Sequence, residues 1–126
     1  MNENLVRTGI KAEFSTRERI FITERLNDPA VPDVSLADAR LKPGITTELH
    51  RLTVNECYVM QQGEGLMEVG GGEPFAVSTG DVVVIPAGTS QRITNTGASD
   101  MLFQCICRPR FTVDSYYPME NNSQEQ

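Results

Sequence analysis

Apolar and polar residues alternate along short segments of this chain, and glycine and proline separate one segment from the next. The segments are residues 19–24, 34–41, 46–52, 56–62, 66–69, 75–78, 91–94 and 101–108, and a continuous apolar run covers 82–85. Alternation with a period of two is typical of β-strands, because successive side chains point to opposite faces. Only residues 114–117 are compatible with a helical turn. The sequence therefore predicts an all-β sandwich or barrel.

The size and composition of the chain fit one domain. Its 126 residues, of which 39% are hydrophobic, are enough for a single modest core. We place the core barrel at about residues 34–108 and an N-terminal strand at about 15–26. The continuous apolar run Val82–Ile85 predicts a strand covered on both faces. The tail over 119–126 is expected to be disordered.

The charge and the cysteine content exclude several classes of function. A net charge of −6 without a basic run argues against nucleic-acid binding and against anionic membranes. No apolar stretch reaches the ~20 residues of a membrane span, and the first residues do not form a signal peptide. Three cysteines do not make a disulfide framework, so we expect a cytoplasmic protein.

Ten residues in the middle of the chain form two blocks with fixed spacing. The first block, G-x5-H-x-H-x3–4-E-x6-G, aligns with Gly44, His50, Leu52, Glu56 and Gly63. The second, G-x5-P-x-G-x2-H-x3-N, aligns with Gly80, Pro86, Gly88, Gln91 and Asn95. These blocks closely resemble the cupin family. The resemblance implies a jelly-roll β-barrel, and a homodimer paired through the N-terminal strand.

The two departures from the pattern fall on positions that hold a divalent metal in typical cupins, which use three histidines and one glutamate. Leu52 and Gln91 replace two of those histidines, and His50 is the single histidine of the chain. His50 and Glu56 are strong ligands, whereas the Gln91 amide is a weak one. Metal sites are usually built from three or four strong ligands. The sequence predicts a weakly bound divalent metal or none.

The resemblance and the strand parity also predict a pocket inside the barrel. Tyr58 and Met60 share the parity of Glu56 and are expected to face inward with it. The candidates for proton transfer are His50, Glu56 and Tyr58, and the candidate ligand contacts are Leu52, Met60 and Gln91. The structural alternatives are a buried Glu–His pair and a core tyrosine whose hydroxyl is hydrogen-bonded.

The cysteines are a separate feature of the last predicted strand. Cys105 and Cys107 share one face, and they reach a metal only if that face looks inward. The alternative is that they serve as small hydrophobic residues. Cys57 has the opposite parity to Glu56 and is expected to face away from the pocket.

Three functions are compatible with these residues. The first is an enzyme that binds a small organic molecule and uses acid–base or weak-metal chemistry. The second is a non-catalytic module that binds or senses a small ligand. The third is a structural homodimer with a vestigial pocket. A fold alone does not decide among them.

Overall fold

The computed structural model describes residues 4–7 and 11–120, and its regular structure is almost entirely β. The strands are β1 (Phe14–Ser15), β2 (Phe21–Leu26), β3 (Ser35–Leu41), β4 (His50–Leu52), β5 (Asn55–Gln62), β6 (Glu64–Val69), β7 (Phe75–Ser78), β8 (Val82–Ile85), β9 (Ser90–Asn95), β10 (Met101–Arg108) and β11 (Tyr116–Pro118). A 3-10 turn, Val113–Ser115, precedes β11. The predicted all-β class is confirmed.

Two antiparallel sheets make up the barrel. One has the strand order β1-β2-β3-β10-β5-β8, and the other has the order β11-β4-β9-β6-β7. Neighbours in a sheet are mostly distant in sequence, as in the pairing of β3 with β10. This arrangement of two antiparallel sheets is consistent with the expected jelly roll.

The main hydrophobic core lies between the two sheets and takes residues from both of them. Its fully buried members include Leu41, Met60, Met67, Ile85, Ile93, Met101 and Phe103. Burying a side chain of this size stabilises the fold by about 1.5–3 kcal/mol. A smaller cluster of Leu52, Val54 and Cys107 lies apart from the main core. The space left open in the barrel lies beside this second cluster.

The N-terminal strand differs from its prediction. A turn at Thr16–Arg19 divides it, with Thr16 N and Oγ1 bonded to the carbonyl oxygen of Ile20 and with Arg19 at φ 71°. Strand β2 pairs with β3 on one side and with β1 on the other. The short β1 is therefore the edge of this sheet. The homodimer stays a prediction.

The expectation that both faces of Val82–Ile85 are covered is wrong. Val82 and Val84 are 57% and 67% exposed, while Val83 and Ile85 are buried. Strand β8 belongs to one of only two packed sheets, so its inner face meets the core and its outer face has no neighbouring layer. A short apolar run does not by itself show how many faces of a strand are covered.

The C-terminal segment is ordered further than predicted. Met119 N donates to the carbonyl oxygen of Leu49, and Glu120 pairs with Arg19 at 2.6 Å. The rest of the predicted tail, residues 121–126, lies outside the described residues. In the part of the chain that the structure covers, no helix has the length and apolarity needed to cross a bilayer.

Candidate functional site

A cavity opens into the barrel between the inner face of the six-stranded sheet and strand β4. Its unfilled space amounts to about 720 Å³ when the solvent-open region at its mouth is included. The polar side chains that line it are Thr16, Glu18, Glu24, Asn27, Ser35, His50, Glu56, Tyr58, Cys105, Cys107 and Tyr116. The remaining lining is mostly apolar, with Ile20, Ile22 and Phe111 among it. Such a combination suits an organic ligand.

His50 faces this cavity from the start of β4 and is 2% exposed. Its Nδ1 lies 2.7 Å from the carbonyl oxygen of Glu48. Because a carbonyl only accepts, Nδ1 carries the proton and Nε2 is the basic nitrogen. Nε2 has no hydrogen-bond partner among the described residues, and the ring stacks on Tyr116 at 4.7 Å between centroids. Burial lowers the pKa of His50, which favours the neutral imidazole.

Glu56 is the last of three buried side chains that are connected by hydrogen bonds. The Tyr58 hydroxyl donates to Gln91 Oε1 at 2.7 Å, and Gln91 Nε2 donates to Glu56 Oε1 at 2.9 Å. The second carboxyl oxygen, Oε2, meets the Cys107 thiol at 3.7 Å. Burial raises the pKa of Glu56 to about 7, against the opposing hydrogen bond from Gln91. Glu56 is therefore both neutral and ionised in comparable amounts near pH ~7.

The role of Tyr58 in this hydrogen-bonded series is mainly to hold Gln91. Its hydroxyl proton is held by Gln91, and its ring packs on Phe103 at 4.4 Å between centroids. Burial raises the pKa of Tyr58 well above its ordinary value. The geometry favours the structural alternative given for Tyr58, in which the hydroxyl fixes the Gln91 amide.

Glu18 is a cavity residue that the sequence reasoning missed. Its carboxylate lies 3.7 Å from His50 Nδ1 and has no hydrogen bond within the described residues. Burial, together with the carboxylates of Glu56 and Glu48, raises the pKa of Glu18 to about 8. No local signal in the sequence marks it, because the Thr16–Arg19 turn interrupts the strand parity that would otherwise extend from β2 to Glu18.

The segment before β2 is fastened to the barrel beside His50. Glu48 N donates to the Glu18 carbonyl oxygen at 3.1 Å, and Arg17 reaches the Glu48 carboxylate at 3.0 Å. The Tyr116 hydroxyl donates to the other oxygen of the same carboxylate at 2.6 Å. These contacts hold Glu48 in place, and Glu48 in turn orients the imidazole of His50.

The predicted pocket residues separate into three groups. His50, Leu52, Glu56 and Tyr58 line the cavity, and Gln91 is bonded to two of them. Met60 does not line it and lies in the main core, paired in register with Phe103. Strand parity correctly assigns Met60 to the inner face of the sheet. Parity does not predict whether an inward residue lies in the core or in the cavity.

Two of the three cysteines belong to the cavity wall. Cys105 and Cys107 line the cavity, whereas the half-buried Cys57 does not. Burial raises the pKa of both cavity thiols, which favours the protonated form. In this form they contribute small, weakly polar surface to the cavity wall.

The donor set does not fit the divalent metal of typical cupins. Leu52 offers no ligand atom, and the Gln91 carbonyl oxygen already accepts from Tyr58. The Gln91 amide turns its NH2 group toward Glu56, so a cation there would meet a donor. Among residues 4–7 and 11–120, no group of three or more His, Cys, Asp or Glu side chains is placed to hold a metal ion.

Comparison with known proteins places this geometry in a family. The cupin domain model matches residues 37–107. A predicted oxalate decarboxylase of Thermotoga maritima superposes with a TM-score of 0.73 at 24% identity, covering 83% of this chain and 98% of that one. KdgF from Halomonas sp. superposes with a TM-score of 0.70 at 20% identity, covering 79% of this chain and 87% of that one.

The polyketide cyclase RemF from Streptomyces resistomycificus covers 98% of this chain and 89% of its own, with a TM-score of 0.77 at 15% identity. No curated protein matches the sequence significantly. At these identities the structural likenesses show the fold. The match of the domain model over more than half of the chain shows that the protein belongs to the cupin family.

Proposed function

We propose that this cupin binds a small organic molecule in its barrel cavity and transfers a proton on it without a metal ion. The observation that carries the proposal is that three groups meet in one cavity: an imidazole nitrogen without a hydrogen-bond partner among the described residues, the buried Glu56 carboxyl and the partly buried Glu18 carboxyl. Paired groups whose surroundings move their pKa values apart are typical of acid–base sites.

His50 is the proposed base. The carbonyl of Glu48 fixes its tautomer, so Nε2 is the nitrogen available to accept a proton. The lowered pKa keeps the ring neutral, and only the neutral ring is a base. The stacking on Tyr116 holds the ring plane.

Glu18 and Glu56 are the proposed acids. Their pKa values of about 8 and about 7 leave each carboxyl substantially protonated near neutrality. A protonated carboxyl can return a proton to the ligand after His50 has removed one. Glu56 is held by Gln91, whereas Glu18 lies on the turn before β2.

The named relatives support an organic ligand as a general class. RemF is a polyketide cyclase, and its fold covers nearly the whole of this chain. Leu52 at a position that typically holds a histidine makes the cavity wall more apolar, which also favours an organic ligand.

Filling the cavity is expected to abolish binding while the fold remains. Ala37 lines the cavity on β3, and Ala37→Phe places an aromatic ring in the space that a ligand would take. We expect cyclohexanone, a neutral probe, to bind the wild type and to bind this variant at least ~10-fold more weakly, a change of about 1.4 kcal/mol. Saturation-transfer NMR measures the binding of the probe, and thermal melting shows whether the variant remains folded.

The matched control is Ala76→Phe, on the exposed side of β7. It adds the same ring to a strand outside the cavity and is expected to leave probe binding unchanged. Equal binding by wild type and Ala37→Phe, with both folded, would show that the probe occupies another place and would contradict the proposal.

A further inference from the structure

We propose that the ligand of this cavity is cationic, a small organic ammonium compound with an apolar body. The inference rests on the proposed function, because it specifies the ligand class of the same cavity. It follows from how the folded chain distributes its charges between the inside and the outside of the barrel.

The segment that forms one wall of the cavity places its carboxyl groups and its guanidinium groups on different sides. Glu18 and Glu24 lie on the inward side with the apolar residues of β2 and line the cavity. The arginines of the same segment, Arg17, Arg19 and Arg25, do not line it. The wall therefore turns carboxyl groups inward and guanidinium groups outward.

The outward arginines are also engaged. Their carboxylate partners are Glu48 at 3.0 Å, Glu120 at 2.6 Å and Asp38 at 2.7 Å. Within the described ranges no Lys or Arg lines the cavity, although Glu18, Glu24 and Glu56 do. A carboxylate taken out of water is costly without a countercharge, and the described cavity lining supplies none, since Arg19 acts on Glu18 only from outside the cavity. A cationic ligand would supply it.

The cavity atoms that lack a strong hydrogen-bond partner are mainly acceptors, as a cationic ligand requires. Glu56 is 7% exposed, and its Oε2 has only a distant thiol as a partner. His50 Nε2 and the Glu18 carboxyl have no partner among the residues described. These atoms are acceptors when the carboxyls are ionised. An alkylammonium group offers three donors and no acceptor, which complements them.

The aromatic and apolar walls suit the remainder of such a ligand. The rings of Phe14, Tyr58, Phe111 and Tyr116 line the cavity. Aromatic faces attract cations, most strongly where water is excluded. A carboxylate ligand such as oxalate would instead meet three carboxyl groups and no cation. The inference therefore separates this chain from the oxalate chemistry that the name of one structural relative suggests.

The experiment compares three probes that share one body and differ in charge: benzylammonium, benzyl alcohol and benzoate. Affinities are measured by NMR titration at pH ~8, where benzylammonium keeps its proton, and at constant ionic strength. We expect benzylammonium to bind about 10-fold more tightly than benzyl alcohol, the scale of a hydrogen bond to a charged group, and benzoate to bind most weakly.

Three variants assign this preference to the cavity. Glu18→Gln and Glu56→Gln each remove one inward carboxyl and are expected to reduce the preference for benzylammonium several-fold. Glu73→Gln removes one exposed carboxyl on a loop and is expected to leave it unchanged. Two separate cavity variants keep the test valid if one of them folds poorly.

The outcomes separate this inference from the proposed function. If benzyl alcohol and benzoate bind as tightly as benzylammonium, the cavity is a ligand site without charge preference, and the inference fails alone. If Glu73→Gln weakens the preference as much as Glu18→Gln, the net charge of the protein causes it, and the inference also fails. If neither these three probes nor cyclohexanone binds, both proposals fail.

Discussion

His50→Gln is expected to lower the rate of proton exchange on a bound carbonyl compound by about 100-fold, the lower end of what a general base contributes. The glutamine amide keeps a donor for the carbonyl of Glu48 and has a comparable size. It has no basic nitrogen in the place of Nε2. The measurement is the loss of the α-hydrogen signals of cyclohexanone in deuterium oxide, followed by proton NMR.

The control for this variant is Glu73→Gln, which changes an exposed carboxyl far from the proton path. Its exchange rate should equal that of the wild type. Thermal melting of His50→Gln shows whether the ring is needed for folding. Exchange by a folded His50→Gln at the wild-type rate would remove His50 from the proposed mechanism.

The free energy of unfolding is expected to fall by about 2 kcal/mol as the pH rises from ~6.5 to ~8.5. The cause is the pair of cavity carboxyls. Both Glu18 and Glu56 have a raised pKa in the folded protein, of about 8 and about 7. Urea denaturation at a series of pH values measures the change.

The direction follows from proton binding. In this window the unfolded chain has lost its carboxyl protons, while the folded chain still holds protons on Glu18 and Glu56. The folded state therefore binds more protons, and stability declines with rising pH until both groups are ionised. His50 acts in the opposite sense, since its lowered pKa costs stability only as the pH falls through its unfolded value of ~6.5. At the lower end of the window this opposing contribution is about 0.4 kcal/mol, and it vanishes as the pH rises.

The double variant Glu18→Gln/Glu56→Gln is expected to flatten this profile, because glutamine resembles the protonated carboxyl and does not titrate. It should also be more stable than the wild type throughout this window, with the larger difference at pH ~8.5. A wild-type profile that rises across the window, or one that the double variant leaves unchanged, would contradict the account of the two carboxyls.

The strands and the central residues of the site could be predicted from the sequence because they depend on local patterns. Alternation locates most strands, and the spaced glycines and prolines locate the turns between them. The same spacing identifies His50, Glu56 and Leu52, all of which line the cavity. Gln91 is also found by spacing, and it contacts Glu56 directly.

The parts that could not be predicted depend on contacts between distant segments. Glu18 enters the site because the Thr16–Arg19 turn docks on Glu48, thirty residues further along the chain. Nothing in the local sequence around Glu18 indicates that contact. Parity assigns Met60 to the pocket because it defines only a face of the sheet. The packing of the core determines how deep the side chain lies, and it places Met60 in the main core.

The central claim is that this cavity works with protons and an organic ligand instead of a bound metal. The most direct measurement is the metal content of protein purified without chelator or metal-affinity chromatography, by elemental mass spectrometry, beside Glu56→Ala. The account predicts only trace transition metal, the same in both proteins. Near-stoichiometric metal in the wild type that disappears in Glu56→Ala would contradict it.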